Sequence, residues 1–212
     1  DGDAVERVRA LLDDSVRLQL RSDVPLGGYL SGGLDSSVVC SLATRHLRAG
    51  IKVFHGRFDE GPAYDESSYA RVLARSVGAE YHDVAPTPAD FVAYMPRILQ
   101  LLDEPVAGPG AFGQFMVSRL AAQHVKVVLG GQGGDETFGG YARYLVAYLE
   151  QALKGAILGT QEEGRHIVTL DNVIPQLPAL RDYFPLMRGF WSEGLFEPMD
   201  QRYFALVNRS RG

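Results

Sequence analysis

Cysteine is almost absent from this sequence of 212 residues, and Cys40 is its single representative. A lone thiol cannot form an intramolecular disulfide, and it cannot by itself supply a cysteine-based zinc site. The five histidines show none of the spacings that are typical of a zinc-binding helix. We therefore expect a reducing compartment, and the cytoplasm is the predicted location.

Long apolar runs and a strong charge of one sign are also missing. Every apolar stretch falls far below the ~20 residues that a membrane-spanning helix requires, and the acidic N-terminus has no apolar signal core. Lys and Arg number 21 against 26 Asp and Glu, which gives a net charge of −5. This balance argues against a protein that coats nucleic acid or an anionic membrane. The sequence also lacks an initiator methionine, so we expect a piece of a longer protein.

Strand and helix patterns alternate along most of the chain. The predicted strands are residues 25–30, 51–58, 80–84 and 126–129. The predicted helices are residues 5–16, 38–47, 66–77, 88–102, 114–123 and 141–154, with Asp3 and Thr87 as N-caps. This alternation indicates a parallel sheet flanked by helices on both faces. Prolines break the chain into short helical pieces after residue 155, so we predict a core at residues 1–154 and a helical remainder at residues 155–212.

Glycine, in contrast, is plentiful, and ten of its 24 residues cluster at positions 27–33 and 130–140. The first cluster begins within the predicted strand at residues 25–30 and extends past its end, and the second follows the strand at residues 126–129. Parallel sheets bind ligands beyond the carboxyl ends of their strands. The first cluster runs into Ser-Gly-Gly-Leu-Asp-Ser at residues 31–36. Glycines in such a turn let backbone N–H groups approach an anion, and the following helix adds its dipole. The turn has no lysine, so it is not the GxxxxGK[ST] loop of nucleoside triphosphatases.

Asp35 is unusual in a loop that would bind an anion. A carboxylate repels phosphate unless a cation bridges them, which makes Asp35 a candidate Mg²⁺ ligand. The alternative is an ordinary strand-to-helix turn in which Asp35 or Ser36 is the N-cap. The five fixed positions of the motif recur by chance with a frequency of about 10⁻⁴ over a chain of this length. That rarity favours the anion-binding interpretation.

Residues 31–36 resemble the pyrophosphate-binding PP-loop of the ATP pyrophosphatases, enzymes that split ATP between its α- and β-phosphates. Residues 21–37 and 130–141 resemble, more specifically, the glutamine-hydrolysing asparagine synthetases. The resemblance covers residues 5–150 well and the remainder poorly. It implies the PP-loop (adenine nucleotide alpha hydrolase-like) fold, with a parallel sheet of the five-stranded type.

The resemblance also implies a reaction. In this family ATP adenylates the side-chain carboxylate of aspartate, pyrophosphate leaves, and ammonia then displaces AMP to give asparagine. The ammonia comes from glutamine, through an N-terminal glutaminase domain that is missing from this sequence. ATP and Mg²⁺ are the implied cofactors, and a homodimer is an open alternative to a monomer.

Site residues follow from the same resemblance, position by position. The implied ATP-binding residues are Tyr29, Leu30, Ser31, Gly32, Gly33, Leu34, Asp35, Ser36, Gly56, Gly130 and Gly131. Asp35 and Asp135 are the implied magnesium ligands, and Asp135 and Gln132 are the implied catalytic residues. The alternative role of Asp135 is that of an acidic residue favoured by the dipole at a helix start. Glu136 is expected to be structural.

Gln132 departs from the family pattern, in which well-known members carry Glu. A neutral amide can orient a substrate but cannot act as a general base. Two alternatives therefore stay open: an amide-forming enzyme similar to β-lactam synthetase that acts on another carboxylate, and a nucleotide-binding module without catalysis. A catalytic lysine of the family lies beyond the end of this sequence, so we expect these residues alone to be inactive. Cys40 and His55 are interpreted as packing residues.

Overall fold

The computed structural model describes residues 2–47, 49–59, 61, 65–104, 110–158, 170–192, 194 and 197–207. The chain divides into two compact units, Asp1–Gln132 and Gly133–Gly212. The first unit contains a β-sheet, and the second is helical wherever it is described as regular structure. The predicted division into a core at residues 1–154 and a remainder at residues 155–212 stays a prediction.

The first unit is built on a parallel sheet. Its strands are β1 (Leu26–Tyr29), β2 (Lys52–Gly56), β3 (Glu80–Val84) and β4 (Val127–Leu129), in the spatial order β3-β2-β1-β4. Its helices are α1 (Gly2–Gln19), α2 (Leu34–His46), α3 (Ser67–Ser76), α4 (Pro88–Leu101) and α5 (Gly110–Ala121). The predicted parallel α/β fold is confirmed. The described residues form four strands, however, rather than a sheet of the five-stranded type.

Apolar residues cover both faces of this sheet. On one face, Val53 of β2 packs with Cys40 of α2 and with Ala70 and Ala74 of α3. On the other face, Phe54 of β2 packs with Ala121 at the end of α5. Alternating side chains of one strand therefore supply two separate cores, as expected for a parallel strand that is buried on both sides.

Several helix boundaries differ from the predictions. Helix α2 begins at Leu34, four residues before its predicted start at residue 38. The first helix begins at Gly2, so Asp3 lies inside its first turn and is not the N-cap. Helix α5 begins at Gly110, four residues earlier than predicted, and the preceding residues 105–109 lie outside the described part. Thr87, in contrast, caps α4 as predicted, because its side chain accepts a hydrogen bond from the Asp90 N–H. No helix in the described part of the chain has the length and apolar composition of a membrane span.

The second unit consists of helices around a small core. Its elements are α6 (Gly134–Phe138), α7 (Ala142–Leu158), α8 (Leu170–Val173), a 3₁₀ helix (Ile174–Tyr183), α9 (Phe184–Ser192) and α10 (Met199–Val207). Val146 of α7 packs with Leu180, Met187 and Leu206 from the later pieces. Short helical pieces were predicted here and are confirmed, although α7 continues beyond its predicted end at residue 154.

Candidate functional site

The order of the strands singles out one edge of the sheet. From β1 the chain passes to β2 and then to β3 on one side, whereas β4 lies on the other side of β1. The direction of winding therefore reverses between β1 and β4, and such a switch point leaves a crevice outside the carboxyl ends of the two strands. The loops that follow β1 and β4 are the two glycine-rich segments of the sequence.

The loop after β1 is held by hydroxyl groups of its own sequence. The hydroxyls of Ser31 and Ser36 share a hydrogen bond of 2.9 Å. The Ser31 N–H donates to the Ser36 hydroxyl, and the Gly33 N–H donates to the Ser31 hydroxyl, each over 3.2 Å. Ser36 is buried and Ser31 is exposed. The loop is thus ordered by two serines that also carry the hydroxyl donors predicted to bind phosphate.

Gly32 permits the sharp turn of this loop. Its φ of 98° lies in the left-handed region, which side-chain-bearing residues rarely adopt. A Cβ atom at Gly32 would also lie 2.8 Å from the carbonyl oxygen of Glu66, just before helix α3. The loop therefore runs directly against the start of α3 as well as into α2. Only glycine satisfies both the backbone conformation and the close approach.

The loop after β4 packs against the first turn of α2. A Cβ atom at Gly131 would lie 2.6 Å from the Ser36 nitrogen and 2.9 Å from the Asp35 carbonyl carbon. Neither backbone atom could move without distorting the helix start. The register that pairs Gly28 of β1 with Leu129 of β4 brings these loops to the same level of the sheet. The structure thus joins Gly131 to the Ser-Gly-Gly motif, one hundred residues away in the sequence.

Asp35 lies in the first turn of α2 and is half-buried. Within the described part of the chain, no hydrogen bond or ion pair engages its carboxylate. No group of three or more His, Cys, Asp or Glu that could hold a metal ion occurs among the described residues. Mg²⁺ usually binds one or two carboxylates and takes its other ligands from phosphate and water. Asp35 fits a site of that kind.

Asp135 belongs to the second unit, in the first turn of α6. It lies beside Gly140, where a Cβ atom would collide with its carboxylate. Its neighbour Glu136 accepts a hydrogen bond from the Tyr141 hydroxyl over 2.7 Å, which lowers the pKa of Glu136. This contact agrees with the structural role expected for Glu136. That Asp135 shares a magnesium ion with Asp35 stays a prediction.

Gln132, the other predicted catalytic residue, is exposed in the loop after β4. Its side-chain amide occupies the space that a Cβ atom at Gly130 would need. The amide therefore lies folded over the backbone of its own loop. Leu34, predicted to contact ATP, is the first residue of α2 and is 79% exposed.

Two other predicted ATP-binding residues also have packing roles. The Tyr29 hydroxyl shares a hydrogen bond of 2.7 Å with the Ser118 hydroxyl of α5, and its ring joins the core around Phe54. At Gly56, a Cβ atom would lie 2.9 Å from a methyl group of Val117. Both residues therefore pack against α5, and the backbone contacts that we expect them to make with ATP stay a prediction.

His55 has a hydrogen bond that its position in the sequence did not predict. It is 2% exposed, and its Nδ1 lies 2.7 Å from the carbonyl oxygen of Leu30, the residue before the Ser-Gly-Gly loop. A carbonyl oxygen can only accept, so Nδ1 carries the hydrogen. The strand pattern places His55 on the same buried face as Val53, two residues earlier, and a buried imidazole there needs a polar partner. The strand pattern does not say which partner.

Cys40, by comparison, is a packing residue as predicted. It is 1% exposed in the core between α2 and the sheet. Burial raises the pKa of its thiol to about 12. The thiolate, which is the nucleophilic form, is therefore not populated near neutral pH.

Comparisons with known proteins bear on this arrangement. Residues 7–201 match the protein-family model described as asparagine synthase. A putative glutamine-hydrolysing asparagine synthetase of Mycobacterium tuberculosis H37Rv is 42% identical over 139 residues, which is 66% of this chain and 21% of that protein. Glutamine-hydrolysing asparagine synthetase 1 of Bacillus subtilis is 37% identical over 140 residues, or 66% of this chain and 22% of that protein. The alignments thus span about a fifth of the length of these relatives.

Among solved structures, the chain is similar to an NH3-dependent NAD synthetase from Campylobacter jejuni, determined with a nitrate ion. The TM-score is 0.45 and the sequence identity is 17%, with 65% of this chain and 60% of that chain covered. A similarity of this size carries no argument about ligands.

Proposed function

The chain belongs to the asparagine synthase family, and from that premise we propose that it is the nucleotide-binding part of an ATP-dependent amide ligase. The observation that carries the proposal is the contact of Gly131 with Ser36. It joins two glycine-rich loops at the switch point of a parallel sheet, where nucleotides bind in folds of this type. Asparagine is the proposed product, with aspartate and ammonia as the substrates that ATP joins.

In the proposed first step, an oxygen of the aspartate side chain attacks the α-phosphorus of ATP. The bond between that phosphorus and the bridging oxygen breaks, and pyrophosphate leaves with the bonding electrons. Donors aimed at the leaving group stabilise its developing charge. We assign this role to the hydroxyls of Ser31 and Ser36 and to the backbone N–H groups of the loop at Gly32 and Gly33.

In the proposed second step, ammonia attacks the activated carboxyl carbon and AMP leaves. Glutamine is the proposed source of the ammonia, through a glutaminase domain outside this chain. Gln132 stands where other family members carry Glu, and its amide can orient ammonia or the acyl adenylate without removing a proton. Proton removal from the attacking ammonia is therefore assigned to a group other than Gln132.

Asp35 and Asp135 are the residues that we propose as magnesium ligands. When bound, Mg²⁺ would neutralise charge on the phosphates and make pyrophosphate a better leaving group. Each residue offers carboxylate oxygens, which are the ligands that Mg²⁺ prefers. That no described residue forms a hydrogen bond or ion pair with the Asp35 carboxylate supports this assignment.

The decisive experiment uses the full-length protein with Mg²⁺, ATP, aspartate and ammonia. We expect AMP, pyrophosphate and asparagine, with AMP formation dependent on aspartate. AMP without a need for aspartate would indicate another carboxylate substrate, as in an enzyme similar to β-lactam synthetase. ADP would contradict the proposed cleavage between the α- and β-phosphates, and a protein that binds ATP without any product would be a nucleotide-binding module.

Asp35→Ala tests the magnesium assignment directly. We expect the variant to lose the Mg²⁺ dependence of ATP binding, because the metal would lose a carboxylate ligand at the loop. Isothermal titration calorimetry with and without Mg²⁺ measures that dependence. Asp59→Ala is the control, since Asp59 is an exposed carboxylate on a loop of the same unit. Undiminished Mg²⁺-dependent binding in Asp35→Ala would overturn the role of Asp35.

A further inference from the structure

The peptide that joins Leu30 to Ser31 is the entry to the Ser-Gly-Gly loop, and side chains hold both of its polar groups. Its carbonyl oxygen accepts from His55 Nδ1 over 2.7 Å. Its N–H donates to the Ser36 hydroxyl over 3.2 Å. The Leu30 N–H in turn donates to the carbonyl oxygen of Phe54 over 2.9 Å. The plane of this peptide is thus fixed from two sides immediately before the loop.

The hydrogen bond to Leu30 is the one polar contact of the His55 side chain among the described residues. Its Nε2 is buried and has no hydrogen-bond partner among the described residues. Its ring is buried and lies near the ring of Tyr81, with 6.0 Å between the centroids. Burying a polar atom without a partner is unfavourable. An apolar side chain would avoid this cost, so packing alone does not explain an imidazole here.

We propose that His55 is a positioning residue for the nucleotide loop, acting through the Leu30 carbonyl on the orientation of Ser31. This inference rests on the proposed function only in that the loop binds ATP. The hydrogen bond from Nδ1 sets the rotation of the peptide between Leu30 and Ser31. That rotation decides where the Ser31 hydroxyl points, and with it the Gly33 N–H that donates to this hydroxyl. His55 does not itself touch the nucleotide.

Two substitutions separate the hydrogen bond from the packing. His55→Asn keeps a donor nitrogen on Cγ, as in histidine, whereas His55→Leu has a similar size without any donor. We expect His55→Leu to weaken the binding of Mg-ATP to the full-length protein roughly three- to tenfold, the range for loss of one hydrogen bond. His55→Asn should restore most of that affinity. Tyr81→Phe is the control, because it changes a neighbour of His55 that has no contact with Leu30 in the described hydrogen bonds.

Binding of ATP is measured by calorimetry, and the melting temperature of each variant is recorded beside it. Equal ATP affinity in His55→Leu and wild type would overturn the proposal, as would equal losses in His55→Leu and His55→Asn. The ¹⁵N NMR spectrum of the wild-type imidazole adds an independent test, since hydrogen on Nδ1 is required and hydrogen on Nε2 alone would contradict it. If the wild type binds ATP but forms no asparagine, the proposed ligase function fails while the test of His55 stands. If it does not bind ATP, both proposals fail.

Discussion

Gly131 and Gly32 allow the loops after β4 and β1 to approach the backbone of neighbouring helices closely. Both loops lie at the edge of the sheet where the strand order reverses. Each approaches a helix start closely: Gly131 faces the Ser36 nitrogen of α2, and Gly32 faces the Glu66 carbonyl before α3. A methyl group at either position would push the loop away from these atoms. The narrow spacing leaves the polar backbone groups of the loop, rather than bulky side chains, at the crevice.

Gly131→Ala tests the close approach. We expect a loss of about 1–3 kcal/mol in the free energy of unfolding, because the added methyl group overpacks against the α2 backbone. The displaced loop should also bind ATP more weakly. Urea unfolding and calorimetric ATP titration measure the two effects.

Gly110→Ala is the matched control for this substitution. Gly110 is the first residue of α5, and an added Cβ atom would have none of the described atoms within 4 Å. The free energy of unfolding of the Gly110→Ala variant should therefore differ from that of the wild type by less than about 0.5 kcal/mol, and its ATP affinity should be unchanged. If Gly131→Ala behaved in the same way as Gly110→Ala, the contact between the two glycine loops would not exist in solution.

At the scale of elements, strong local patterns predicted the fold and weak ones did not. The four strands and the cap of α4 at Thr87 follow from apolar runs and from a residue pair that is typical of helix starts. Helix α6 was missed because it has five residues and lies between Gly133 and Gly139, both with positive φ. Glycines in a sequence indicate turns, and a helix of five residues is too short to show the periodic apolar pattern that predicts a helix.

The candidate site was predictable as a motif but not as a set of contacts. Residues 31–36 are contiguous, so their spacing alone predicted an anion-binding loop. The contact of Gly131 with Ser36 depends instead on the pairing of β1 with β4, which joins residues about a hundred positions apart. The bond from His55 to Leu30 depends in the same way on the register of β1 and β2. Register between distant strands is not encoded in any local pattern.

At the scale of the whole molecule, the two units carry different kinds of core. The second unit contains a fully buried ion pair, in which the Arg202 guanidinium donates to both oxygens of Glu150 over 2.7 and 2.6 Å. Trp191, the single tryptophan of the sequence, donates its indole N–H to the same carboxylate over 3.1 Å. This network links α7, α9 and α10. Its fluorophore reports on the second unit alone, since the first contains no tryptophan.

Glu150→Gln should destabilise the second unit by about 3–5 kcal/mol, because the buried guanidinium would lose its compensating charge. Urea unfolding followed by Trp191 fluorescence should show a midpoint at a lower urea concentration. Arg188→Gln, which removes an exposed charge of α9, should leave the midpoint unchanged.

The double variant Glu150→Leu, Arg202→Met removes both charges and should recover part of the loss, since apolar pairs often replace buried ion pairs at little cost. An unshifted midpoint in Glu150→Gln would show that the pair is solvated in solution. A double variant less stable than Glu150→Gln would mean that the ion pair itself, and not merely the avoidance of an unpaired charge, stabilises this unit.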